Sequence, residues 1–142
     1  METVKHYQKI GLLTLNSKST EFLVIEKFPG DVGYTDYQMP GGQIEKETDI
    51  ACLQREIKEE LACSVEPSSI EYIAEYHGPA AGGGLLTMKL YLGELIGVPK
   101  ASDEIKELHW VGIKDKDDLK LSEFIRTRIF PDILRKGLLK GN

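Results

Sequence analysis

Apolar residues come in short bursts along most of this chain, and the bursts have the length of strands. "KIGLLTLN" (9–16) and "EFLVIEKF" (21–28) read as two strands joined by the polar turn "SKST", a hairpin pattern. The segment "PGDVGYTDYQMPGG" interrupts the rhythm with two prolines and four glycines and reads as a loop. From Thr48 to about Ala62 the apolar period lengthens to that of a helix, with Thr48 in the N-cap position and Asp49 in the first turn. "IEYIAEYH" (70–77) and "LLTMKLYLGELI" (85–96) return to strand patterning, with "GPAAGGG" as a flexible connection between them. "ELHWVGI" (107–113) is a last strand. "LSEFIRTRIFPDILRKGLL" (121–139) is helical, with Ser122 as its cap and Pro131 kinking or dividing it. The order β-β-loop-α-β-β-β-α predicts a mixed sheet whose faces the helices cover.

The first helix carries an arrangement that needs an explanation. At about 100° per residue with Glu56 at zero, Leu53, Ile57, Ile50 and Leu61 fall between about 60° and 140°, a narrow stripe that anchors the helix on the core. Glu59, Glu56 and Glu60 fall between about −60° and +40°, at the border of that stripe, with Cys52 in the same sector one turn earlier. Like charges three or four apart on a helix each cost about 0.2–0.5 kcal/mol. One reading is a solvated acidic face balanced by Arg55 and Lys58. The other is a cation site. Three carboxylates at i, i+3 and i+4 suit a hard ion such as Mg²⁺, which takes oxygen ligands and keeps waters for substrate phosphates. Zinc fits poorly, because no histidine has helical spacing to the cluster. The preceding "MPGGQIEKE" adds a Gly-Gly pair that lets backbone approach a ligand closely.

Composition narrows the field. A length of 142 residues suits one domain, taken here as 1–142. The net charge of −5 argues against a binder of nucleic-acid polymers, which usually carries a basic face. It leaves room for a small phosphorylated substrate, since a bound metal reverses the local sign. No stretch has signal-peptide character or approaches the ~20 apolar residues of a membrane span, so no membrane partner and a cytoplasmic location are expected. Cys52 and Cys63 lie roughly 16 Å apart if helix joins them, too far for a disulfide, and read as small packing residues.

The spacing Gly41, five residues, Glu47, seven residues, then Arg55-Glu56-Ile57-Lys58-Glu59-Glu60-Leu61-Ala62-Cys63 resembles the signature box of the Nudix hydrolases, G-x5-E-x7-R-E-U-x-E-E-x-G-U. All the charged positions match. The departure is Ala62, where the family usually has glycine, and a non-αL exit from the helix is expected there. The resemblance spans roughly residues 5 to 136, the length of a small MutT-type member. It implies an α/β/α sandwich with a mixed β-sheet. It also implies hydrolysis, dependent on Mg²⁺ with Mn²⁺ as a substitute, of a nucleoside diphosphate linked to another group. On this resemblance Glu56, Glu59 and Glu60 are metal ligands, with the Gly41 carbonyl a further one. Glu59 and Glu60 are also assigned to catalysis, and Glu47 and Arg55 form the ion pair that braces loop against helix. Glu104, six residues before Trp110, stands where MutT-type members supply an extra ligand or general base, with Asp103 and Glu107 as competitors.

The expected partner is a small nucleotide, and the protein a monomer or homodimer. Cleavage of a (d)NTP to NMP and pyrophosphate is the leading reaction. ADP-ribose or another NDP-linked compound is the alternative, favoured by Pro79, sixteen residues after the box. A catalytically silent nucleotide-binding module is the remaining alternative. Oxidised dGTP has no supporting asparagine near the C-terminal helix. Tyr34, Tyr37 and Tyr76 could stack on a base or simply pack, and His6, His77 and His109 read as solvated or packed. Lys9, Lys27, Arg126 and Arg128 could reach phosphates, but spacing selects none of them.

Overall fold

A computed structural model describes residues 3–141 of the chain. Strand β1 (His6–Leu13) is followed by β2 (Glu21–Lys27), a one-turn helix α1 (Pro29–Val32) and the short β3 (Gly41–Gln43). Helix α2 (Asp49–Leu61) leads through β4 (Ser64–Val65) to β5 (Glu71–Pro79), β6 (Leu85–Leu92), β7 (Leu95–Ile96) and β8 (Ile105–Gly112). A π-helical stretch, Ile125–Ile129, then runs into α3 (Phe130–Arg135). The main sheet has the order β3-β1-β6-β5, and β1 lies parallel to β6 from His6 opposite Leu85 to Leu13 opposite Leu92. Its other pairs are antiparallel, as is β2 with β8, so the sheet structure is mixed.

Two apolar clusters show why the layers form. Ile10, Leu12, Leu23 and Ile25 pack with Leu53, Ile57 and Leu61 of α2. Their sequence neighbours Leu13, Phe22 and Val24 point the other way, into Phe124, Ile125, Ile129, Phe130 and Ile133 of the C-terminal helical segment. Phe22 through Ile25 are therefore buried on both faces, which explains the continuous apolar run of β2. Helix on sheet on helix is the α/β/α arrangement.

Several expectations change in detail. β1 and β2 are joined by the turn, where the Asn16 N–H donates to the Glu21 carbonyl at 3.0 Å and Leu15 bridges Phe22. They do not form one hairpin ladder: β1 pairs with β3 and β6, and β2 with β8. The 85–96 run is broken at Gly93, where a Cβ would come within 2.7 Å of Val65 Cγ1. In the last helix the Phe130 N–H reaches back five residues to the Ile125 carbonyl, a widened turn just before Pro131, which has no N–H to give. Ser122 Oγ accepts from the Ile125 N–H at 3.2 Å.

Helix α2 begins after Thr48, whose Oγ1 accepts from the Ala51 N–H at 3.1 Å. It ends at Ala62 with φ 55° and ψ 31°, a left-handed residue whose N–H bonds the Lys58 carbonyl. The non-αL exit expected from the missing glycine is thus corrected. The capping bond holds alanine in the conformation that glycine adopts without strain. The stripe also shifts. Ile50 is exposed, and the buried face runs from Cys52 through Glu60 to Leu61.

Candidate active site

The Gly-Gly pair of β3 and the last turns of α2 meet over the end of β1. Gly41 has φ +143°, and a Cβ there would collide with the Ile10 carbonyl oxygen of β1. At Gly42 a Cβ would occupy the place of the Glu56 carboxylate. Neither position accepts a side chain without displacing a strand or an acid.

Glu60 lies inside the apolar arc rather than at its border, with 1% of its surface exposed. A helical angle gives direction and not depth, and here the close approach of Gly41 closes over the carboxyl. Its Oε1 accepts from the Gly41 N–H at 2.7 Å, and its Oε2 is 3.6 Å from Lys27 Nζ. Burial pushes its pKa up to about 7, against the opposing pull of Lys27 and the Gly41 N–H. Burial also raises Glu56, although Arg55 Nη1 donates to it at 2.8 Å. Glu59 is the open member, half exposed and 3.5 Å from the same guanidinium nitrogen.

Arg55 gathers the acids of the preceding loop. Its Nη2 donates to Glu47 at 2.6 Å, and its Nε lies 3.2 Å from both Glu47 oxygens. The shared hydrogen bonds hold the Glu47 carboxyl below its ordinary value and the guanidinium above its own.

Glu104 and Asp103 form an exposed turn ahead of β8. Two backbone bonds anchor the segment before it to the end of α2, from the Lys100 N–H to the Leu61 carbonyl at 2.9 Å and from the Ser102 N–H to the Glu60 carbonyl at 3.1 Å. Glu107 instead lies on β8, 3.8 Å from His109. His109 in turn meets Glu26 at 3.0 Å and stacks on the Tyr37 ring with centroids 4.2 Å apart. Glu26, Glu107 and His109 thus form a second grouping, with donor atoms within 4.8 Å of one another, and Lys106 Nζ is 3.5 Å from Glu26. Glu107 and His109 share one face of β8, two residues apart, and the β2–β8 register brings Glu26 opposite Glu107.

A cleft leads away from the acids. Lys9, Lys27, Tyr34, Gln38, Gly41 and Leu86 line its inner part. It widens to about 220 Å³ between Tyr7, Tyr34, Val32 and the 80–82 turn. Of the tyrosines considered, Tyr34 alone lines this space; Tyr37 packs on His109, and Tyr76 donates to Asp132 at 2.5 Å. Arg128 is committed to the His77 carbonyl and Arg126 to the Leu121 carbonyl. Gln38 went unnoticed in the sequence. Its only signal is structural: Nε2 is buried without a partner, as is Ser102 Oγ.

Among the described residues Glu26, Glu107 and His109 bring three donor atoms within 4.8 Å of one another, and Glu56, Glu59 and Glu60 do not converge that closely. In donor type, however, the helix cluster suits a hard divalent cation. It offers carboxylate oxygens with no thiol or imidazole, two of them desolvated, and glycines that leave room for the acids.

Comparison with known proteins agrees with this architecture. A MutT protein from Methanosarcina mazei Go1 superposes with a TM-score of 0.78 at 19% identity, covering 96% of this chain and 99% of that one. MutT from Aliivibrio salmonicida and Vibrio cholerae gives 0.69 at 19% identity, covering 95% and 98%. A bifunctional NMN adenylyltransferase/ADP ribose pyrophosphatase from Francisella tularensis gives 0.66 at 16% identity, covering 96% of this chain and 43% of the other. At these identities the likeness is one of fold. No curated protein matches by sequence. The NUDIX domain model, however, matches residues 5–132, a span that takes in the glycine pair, the Arg55 brace and all three helix acids. The chain belongs to the Nudix hydrolase family.

Proposed function

We propose that residues 1–142 form a single-domain pyrophosphohydrolase, dependent on Mg²⁺ or Mn²⁺, that cleaves a (d)NTP to NMP and pyrophosphate. The family acts on nucleoside diphosphates linked to another group, and the choice of nucleoside triphosphate is the narrower claim. The observation that carries the hydrolase reading is the Glu60 carboxyl, buried behind Gly41 and Lys27, which line the inner end of the cleft, and beside a Glu56 seated on Gly42. A buried acid with so little counter-charge is costly to a fold unless a ligand completes it.

In this reading Glu56, Glu59 and Glu60, with the Gly41 carbonyl, hold the cation. When bound, it supplies the charge that neutralises phosphate oxygens in an in-line displacement. Arg55, tied to Glu47, fixes the Glu56 carboxylate and keeps the loop on the helix. Lys27 and Lys9 give the polyphosphate a cationic wall. Water attacks phosphorus, the bridging P–O bond breaks with the pyrophosphate leaving, and the proton passes to a carboxylate, half-exposed Glu59 or the turn acid Glu104. A cytoplasmic location is consistent with this substrate, and no helix among the described residues is long and apolar enough to cross a membrane.

The test is pyrophosphate and phosphate release with Mg²⁺ from NTPs, dNTPs and ADP-ribose, with Glu59→Gln and Glu60→Gln beside the parent. Turnover of nucleoside triphosphates, lost by at least about 10²-fold in both folded variants, is expected. Equal rates in parent and variants would remove the carboxylates from the mechanism. Turnover confined to ADP-ribose would replace the substrate and keep the site.

A further inference from the structure

Strand β8 leaves one side of its backbone unused. It pairs with β2 alone, with Leu108 opposite Ile25 and Trp110 opposite Leu23. In an antiparallel ladder, opposite residues alternate between pairs that exchange hydrogen bonds and pairs that point theirs outward. Ile25 gives its N–H and its carbonyl to Gln38, and the Leu23 N–H goes to Thr14. Both residues therefore face away from β8. Leu108 and Trp110, opposite them, turn their own N–H and carbonyl groups to the free edge. Among the described residues no backbone group outside β2 bonds those of Lys106–Val111. The edge strand of the main sheet is treated differently: on β5 the His77 carbonyl accepts from Arg128 and the Ile73 carbonyl from Lys136.

Free edges are usually kept short, covered, or broken by proline, lysine or a bulge. β8 is eight residues long without a proline. Its bulge and its one lysine lie at the Ile105 end, and the exposed side chain at the other end is Trp110.

The strand is complementary to itself. Two copies about a two-fold axis perpendicular to the sheet pair antiparallel, with opposite side chains on the same face. Centred on Leu108, that pairing lets each Leu108 donate to and accept from the other, and aims each Trp110 N–H at a Lys106 carbonyl. On one face each Glu107 then meets a His109. On the other, each Trp110 ring meets a Lys106 ammonium. The neighbouring registers are worse. Centring on Glu107 sets that acid against itself. Centring on His109 sets Lys106 opposite Gly112, whose N–H already donates to Asp115 at 2.8 Å.

We propose that the free edge of β8 is a self-association surface, on which a second copy of this chain pairs antiparallel about Leu108. The two β2–β8 ladders become one continuous sheet, and the contact is independent of the substrate that the cleft takes.

The experiment is sedimentation equilibrium of the intact protein from micromolar to submillimolar concentration, with amide hydrogen exchange read at both ends of that range. The parent is expected to pass from 15.9 kDa to twice that mass. As it does, the Leu108 and Trp110 amides should gain at least about tenfold protection, while those of Glu107, His109 and Val111, turned toward β2, are protected throughout. Glu107→Lys sets a cation opposite His109 twice in each pair of chains, and should weaken association about tenfold. The exchanged variant, Glu107→Lys with His109→Glu, should restore it. A 15.9 kDa species at every concentration would overturn the proposal. So would a dimer whose Leu108 and Trp110 amides exchange at the same rate at both concentrations, since its contact lies on another surface. A folded Glu107→Lys that associates as tightly as the parent would overturn it as well. The exchange measurement needs only the parent chain, so the test holds even where a variant misfolds.

Discussion

Burying the Glu60 carboxyl couples folding of the metal-free protein to protonation. Its pKa is raised from the ordinary 4.5 to about 7 by desolvation, so between those values the folded state binds more protons than the unfolded one. The stability this contributes is fully present below pH 4.5 and is lost as pH rises through about 7. The loss is of order 3 kcal/mol. Asp132 works in the opposite sense. Lys136 first, then Tyr76, hold it down to about 2, so its contribution is present above its ordinary 3.8 and is lost only as pH falls toward 2. The two windows do not overlap. Urea denaturation in EDTA at pH 5 and pH 8 should therefore show the parent less stable at the higher pH, while Glu60→Gln loses most of that slope. Matching slopes in parent and variant would mean that Glu60 is not the group responsible. The sequence named this acid through its spacing. Its depth was not legible, because that depends on Gly41 and Lys27 arriving from other strands. Gln38 was still less legible, since no spacing singles out a donor whose only mark is a missing partner.

At the scale of the elements, α2 carries a local conflict. Thr48 caps its start, but its end places alanine in the left-handed region at φ 55°, a conformation that costs a non-glycine residue about 1–2 kcal/mol. Replacing Ala62 by Gly removes that strain and adds about 0.5–1 kcal/mol of backbone entropy cost. A net stabilisation of about 0.5–1 kcal/mol is expected, read as a higher urea midpoint with unchanged slope. A lower midpoint would mean that the Ala62 methyl group contributes packing that outweighs the strain. The strands were legible as strands because their alternation is local. Their partners were not. β1 and β2 look like a hairpin because the turn between them is short and polar, yet each finds its ladder in a strand more than fifty residues away in sequence, β6 and β8 respectively. Both strands are buried, and the apolar faces that complete them come from distant parts of the chain.

For the whole molecule, the layers follow from strand faces that each demand a helix, and this much of the α/β/α sandwich was readable from the order of elements and the box. If the carboxylate cluster binds Mg²⁺, the ion must stabilise the native state, by about 2.7 kcal/mol at a hundred times its dissociation constant. Melting at pH 8 should rise with added Mg²⁺ in the parent and stay level in Glu60→Gln. A rise of equal size in both would place the ion elsewhere, for example at Glu26, Glu107 and His109. The tether between the 100–102 segment and the end of α2 adds a constraint of a different kind. Its bonds run from backbone N–H to backbone carbonyl, so they are blind to side-chain identity. Residues there can drift in sequence while the Asp103–Glu104 turn stays fastened to the helix that carries the three acids. Insertions or deletions between residues 97 and 104 would slip that registration. Residues 98 to 102 should therefore tolerate most substitutions other than proline, Gly97 with its φ of +96° should not, and changes of length should be tolerated hardly at all.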